Sequence, residues 1–168
     1  KYHFKLLLSA GVLATSLGIQ GAHAAKTSMT IALQLEPPHL DPTSAAAGAI
    51  DSVLYSNVFE GLTRFASDGA VIPGLAKSWE ISEDGTEYIF HLNSAVTFHD
   101  GSTMDANDVK FSLDRARAED STNAQKALFS GIKNVEVLAS DKVKVTLASP
   151  NGSFLFNICL LYTSPRPR

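Results

Sequence analysis

Three observations predict an α/β chain. Thr86 to Leu92 alternates with period two, setting Tyr88, Phe90 and Leu92 on one side and Glu87, Ile89 and His91 on the other. Turn chemistry punctuates such runs: Glu83-Asp84-Gly85 and Asp100-Gly101 combine an Asp that bonds its own backbone with a Gly that tolerates positive φ. Elsewhere apolar residues recur at helical spacing, and Asp105 stands where it can cap a helix, with Asp108 at the third position to complement the dipole.

In chain order, the first 24 residues read as an export signal. Lys1 and Lys5 precede an apolar run from Leu6 to Ile19, and Ala22-His23-Ala24 puts small residues at the −3 and −1 positions of a cleavage site. Cleavage is expected between Ala24 and Ala25. The run is too short for a permanent membrane span, and its flanks argue against a buried core helix. No Cys stands near the cleavage site to carry a lipid, and the start at Lys1 suggests slight truncation. Removing this segment takes away two lysines and no acid, so the formal charge goes from −3 to −5. That balance, with no basic patch interleaved with aromatics, argues against a nucleic-acid partner. The lone Cys159 excludes an internal disulfide framework and a multi-cysteine metal site.

Ser28 to Leu35 is predicted as the first strand, and Glu36-Pro37-Pro38-His39-Leu40-Asp41-Pro42 as a stiff loop that leaves the sheet, because adjacent prolines remove ladder donors. His39 and Asp41 fit loop polarity and turn formation better than metal binding, since one His beside prolines supplies too few ligands. Ala46 to Leu62 places Ile50, Val53, Leu54 and Val58 at helical spacing, with Gly61 as the expected stop. Leu62 to Phe65 and Ala70 to Ile72 flank Ala66-Ser67-Asp68-Gly69 as a hairpin. Strands are expected over Ser78 to Ser82 and Thr86 to Leu92. Asn93-Ser94-Ala95 turns the chain, and Val96 and Phe98 resume the alternation as a short strand. The helix after Asp105 is followed by a polar loop from Ala118 to Thr122 and a short helix from Asn123 to Phe129. Val135 to Leu138 and Lys142 to Ala148 are strands joined at Ser140-Asp141, with Val143, Val145 and Leu147 on one face. Pro150-Asn151-Gly152 ends the sheet, and Ser153 is placed to cap a helix beginning Phe154-Leu155-Phe156. From Cys159 to Arg168 the composition changes abruptly and resembles translated vector or adaptor sequence.

The residue types for catalysis are present but not assembled. His99-Asp100-Gly101-Ser102 brings suitable side chains together on a tight turn, where neighbours point apart, and neither a G-x-S-x-G elbow nor an H-E-x-x-H pair occurs. Asp105 and Asp108 are explained by capping, and Trp79, Tyr88 and Phe90 by a core. No glycine loop for phosphates and no dinucleotide fingerprint is found.

The pieces PGLAKSWEIS, EDG, YIFHL, VTFHDGS and DANDVKFSLDRA, in this order and spacing between Pro73 and Arg117, resemble solute-binding protein family 5. These are the extracytoplasmic peptide- and nickel-binding components of ABC importers. EPPHLDP and NVFEGL extend the resemblance, which runs more weakly from Met29 to Ile158. It implies an α/β, periplasmic-binding-protein-like (type II) fold, incomplete in this chain: part of the first lobe with its smaller flanking subdomain. The implied partition is a signal peptide over 1–24, the start of lobe I over 25–61, the flanking subdomain over 62–158 and a non-native tail over 159–168. The implied function is capture of peptides in the periplasm for a membrane permease and its ATPase, without catalysis, cofactor or protein-bound metal, by a monomer. Nickel or a metal chelate is the alternative solute. A secreted hydrolase, and a binding protein reused as sensor or chaperone, are the competing classes. Only the loop Thr43, Ser44, Ala45, Ala46 and Ala47 is expected to reach the ligand cleft.

Overall fold

The computed structural model describes residues 27–42, 48–55 and 57–160. The chain divides into two compact units between Ala32 and Leu33. Of the first, residues 27–32 are described and have no regular secondary structure. The second carries every helix and strand described below.

Its centre is a four-stranded antiparallel sheet of β3 (Ala76–Ile81), β4 (Glu87–Leu92), β6 (Lys142–Leu147) and β5 (Ile132–Ala139), in that spatial order. The alternation in β4 and β6 becomes alternating burial: Tyr88, Phe90, Leu92, Val143, Val145 and Leu147 all face the core. Register pairs Tyr88 with Val145 and Phe90 with Val143, so apolar side chains meet across the two central strands. Over that face lies α2 (Ala106–Arg117), contributing Val109, Leu113 and Ala116 to the same core. Phe90, Phe129 and Phe154 are fully buried, each stabilising by about 1.5–3 kcal/mol. The opposite face is charged: His91 Nε2 lies 2.7 Å from Glu80 Oε1, and Lys144 Nζ lies 3.3 Å from Glu136 and 3.7 Å from Glu87. The bond and charge of Glu136, then the charge of Glu87, hold the Lys144 ammonium above its ordinary range.

Helix α2 starts as its sequence requires. Asp105 Oδ1 accepts from the Asn107 and Asp108 amides at 2.7 and 3.3 Å, while Asp108 Oδ2 accepts from the Asp105 amide at 2.9 Å, a reciprocal capping box. On its flank, Asp114 accepts from Lys110 at 2.6 Å and from Arg117 at 2.7 Å. Burial pushes the Asp114 carboxyl up, but these bonds and charges outweigh it and hold it below the usual carboxylate range. The remaining elements are α1 (Gly48–Leu54), the hairpin of β1 (Thr63–Phe65) and β2 (Val71–Pro73), α3 (Lys126–Phe129), α4 (Phe154–Asn157) and a 3₁₀ turn over Ile158–Leu160.

Four expectations are corrected. Residues 28–35 form no strand. Met29, Ile31, Leu33 and Leu35 carry the alternation, but among the described residues they have no ladder partner and are exposed. Alternation marks a face, and only a neighbouring strand makes it a sheet. Helix α1 ends at Leu54, well before Gly61, because the Leu54 carbonyl accepts from the amides of Asn57, Val58 and Phe59 while Asn57 Nδ2 bonds the Val53 carbonyl. Val96 to Phe98 forms only an isolated bridge, Thr97 to Thr103, closed by the turn at Gly101. Ser153 makes no side-chain cap; the Asn151 side chain accepts from the Ser153 amide instead. The turn at Gly85 takes the expected positive φ, at 68°, and Gly69 and Gly101 in their turns also have positive φ, at 85° and 84°.

Candidate functional site

The loop expected to face a ligand, Thr43 to Ala47, lies outside the described residues, as do Ala24 and Ala25 of the cleavage site. What is described is its two flanks. Before it, the Asp41 amide donates to His39 Nδ1 at 3.3 Å, the turn polarity expected of that pair. After it, α1 buries Ile50 and Leu54 and delivers the chain through a turn at Asn57 to Glu60.

That turn forms one wall of an open groove of about 480 Å³, and the segment Val96 to Asp100 forms the other. Phe59, Leu75, Phe98 and Met104 supply apolar lining, with Glu60 and His99 among the polar groups. A tight backbone crossing fixes Leu75, one of the lining residues. The Leu75 amide donates to the Gly61 carbonyl at 3.0 Å, and the Gly74 and Ala76 amides donate to the Leu62 carbonyl at 3.2 and 3.0 Å. A Cβ on Gly74 would stand 2.6 Å from the Gly61 oxygen and 3.0 Å from that of Leu62, so only glycine fits. Gly61 has a similar role, since its Cβ would meet the Cys159 carbonyl oxygen at 2.5 Å. Sequence reasoning missed both crossings, as nothing local distinguishes a glycine at a crossing from a helix stop.

His99-Asp100-Gly101-Ser102 is a turn. Asp100 Oδ1 accepts from the Ser102 amide at 2.9 Å and from its hydroxyl at 2.6 Å, and His99 is exposed. The Ser102 proton is therefore directed at the turn's own carboxylate. At Ser82, Asp84 and Thr86 the same chemistry recurs: Asp84 accepts from the Ser82 hydroxyl at 2.6 Å and from Thr86 at 3.1 and 2.8 Å, which holds its carboxyl below the usual range. Among the described residues no group of three or more His, Cys, Asp or Glu is arranged to hold a metal ion, and no helix is long and apolar enough to cross a membrane.

Cys159, set aside on sequence with the tail, is fully buried. Its Sγ lies 3.0 Å from Thr63 Oγ1, which also donates to the Leu155 carbonyl at 2.9 Å. Burial pushes the thiol up, against a smaller opposing effect of the Thr63 bond. The spacing of Phe154 and Ile158, both buried, was the available signal that the helical run continues.

The chain resembles known proteins throughout this region. It is 35% identical over 152 residues to the glutathione-binding protein GsiB of Pectobacterium atrosepticum, covering 90% of this chain and 29% of that protein. It is 35% identical over 112 residues to the nickel-binding periplasmic protein of Escherichia coli K12, covering 67% of this chain and 21% of that one. Among solved structures, the periplasmic binding protein AgaA of A. tumefaciens R10, in complex with agropinic acid, superposes with a TM-score of 0.73 at 31% identity, covering 77% of this chain and 26% of AgaA. The chain thus spans under a third of the length of these relatives, and its architecture is that portion of an α/β, type II periplasmic-binding-protein fold. Residues 70–167 match the family described as bacterial extracellular solute-binding proteins, family 5 Middle. The chain belongs to that family.

Proposed function

We propose that this chain is part of the substrate-binding component of an ABC importer that captures di- or oligopeptides in the periplasm and delivers them to a membrane permease and its ATPase. The observation that carries the reading is the match to the glutathione-binding protein. Glutathione is a small peptide-like solute, and that relative aligns over 90% of this chain. Two lobes enclosing a solute favour the closed form through contacts made by both, and closure is the signal that a permease reads. Holding a peptide by its main chain tolerates varied side chains. In this reading residues 1–24 are a cleaved signal, 25–61 begin the first lobe and 62–158 form its flanking scaffold. Residues 159–168 are the tail whose composition changes abruptly, although its first residue, Cys159, packs into the core and the family match runs to residue 167. Thr43 to Ala47 is the stretch nearest the solute, and the monomeric protein binds without turnover. A nickel chelate is the second reading, favoured by the nickel-binding relative, which aligns over the smaller share of 67%.

The test uses the complete reading frame that contains this chain. Calorimetric titration with mixed di- and oligopeptides, with glutathione and with nickel-histidine should give saturable binding of peptide, and mass spectrometry should find the peptides intact afterwards. Binding of the nickel chelate alone would overturn the peptide assignment. Cleavage that is lost in His99→Ala would overturn the binding-protein reading. Intact mass of the exported product should place its first residue at Ala25.

A further inference from the structure

We draw no further inference here: the strongest candidate, the open groove of about 480 Å³ between the Asn57–Glu60 turn and the Val96–Asp100 segment, belongs to a chain that spans only 29% of its glutathione-binding relative, and nothing in the structure shows what covers it.

Discussion

Replacing Gly74 by alanine should destabilise the fold by about 2 kcal/mol, with no change of charge or polarity. The added methyl would sit 2.6 Å from the Gly61 carbonyl oxygen and 3.0 Å from that of Leu62. Ordinary van der Waals contact begins near 3.4 Å, so a relief of roughly 0.8 Å is needed. Unlike Arg64 Cγ, which stands at 3.1 Å and can shift, neither of these two nearer obstacles is a side chain that can swing aside. Both are backbone carbonyls, tied by the amides of Gly74, Leu75 and Ala76 at 3.0–3.2 Å. Overpacking of this kind costs about 1–3 kcal/mol, loosened hydrogen bonds included, and the middle of that range is expected here. Gly152→Ala is the control, because a Cβ there meets nothing within 4 Å and its stability should move by less than about 0.5 kcal/mol. Urea unfolding followed by the fluorescence of Trp79, the single tryptophan, reports on the four-stranded sheet, since its ring lies 6.5 Å from that of Phe90. With a slope of about 2 kcal/mol/M, the Gly74→Ala midpoint should fall by roughly 1 M. Midpoints for the two variants that coincide would refute the crossing as the constraint at Gly74, and with it the rigid placement of Leu75 in the groove wall.

Asp105→Ala removes the bonds its carboxylate accepts from the Asn107 and Asp108 amides, while the bond from the residue-105 amide to Asp108 stays possible; it should cost about 1 kcal/mol, with faster exchange of those two amides than in the parent. Gly85→Val forces a β-branched residue to φ 68° and should cost roughly 1–3 kcal/mol in the unfolding midpoint, while solute affinity of the complete, folded protein stays unchanged. Asp114 has a carboxyl depressed in the folded state, so its contribution is present above the ordinary carboxylate range of about 3.9 and is lost as pH falls through the folded value. Asp114→Asn should therefore be less stable than the parent at pH 7, and the gap measured by urea titration should close below about pH 4. Cys159 should resist a thiol reagent in the folded chain at pH 8 and react stoichiometrically in urea; rapid labelling without denaturant would show that it does not pack against Thr63.

What was legible in the sequence was local. A turn such as Asp84-Gly85 declares itself within three residues, because one carboxylate bonds the next amides and one glycine takes the left-handed conformation. The capping box declares itself across four, and the alternation of Tyr88, Phe90 and Leu92 across five. The misreadings arise where a pattern does not choose between competing local bonds, or where the partner lies distant in sequence. The end of α1 depends on three amides converging on the Leu54 carbonyl, whereas Gly61, which looked like the stop, is small because another backbone passes against it. Residues 28–35 carry a strand pattern that needs a ladder partner to become a strand. The groove was invisible for a related reason: Glu60 and His99 are far apart in sequence, and they come to one opening only in the folded chain.

The side chains that carry the family resemblance are engaged in folding. Tyr88, Phe90 and Leu92 are buried, Asp84 is saturated by its own turn, and Asp105 and Asp108 cap one helix. A side chain enclosed in the core or committed to a turn makes no contact with a solute, so it cannot discriminate between one solute and another. Discrimination is a difference in contact free energy, made by the few polar groups that line a cleft. Relatives with similar overall identity to this chain can accordingly bear the names of solutes as unlike as glutathione and nickel, both at 35%. A frame held by core packing, turns and caps is indifferent to the cargo. Substituting frame residues should therefore change melting and leave solute preference alone, whereas substitutions in the loop from Thr43 to Ala47 are the ones within this chain expected to change preference while the frame melts as before.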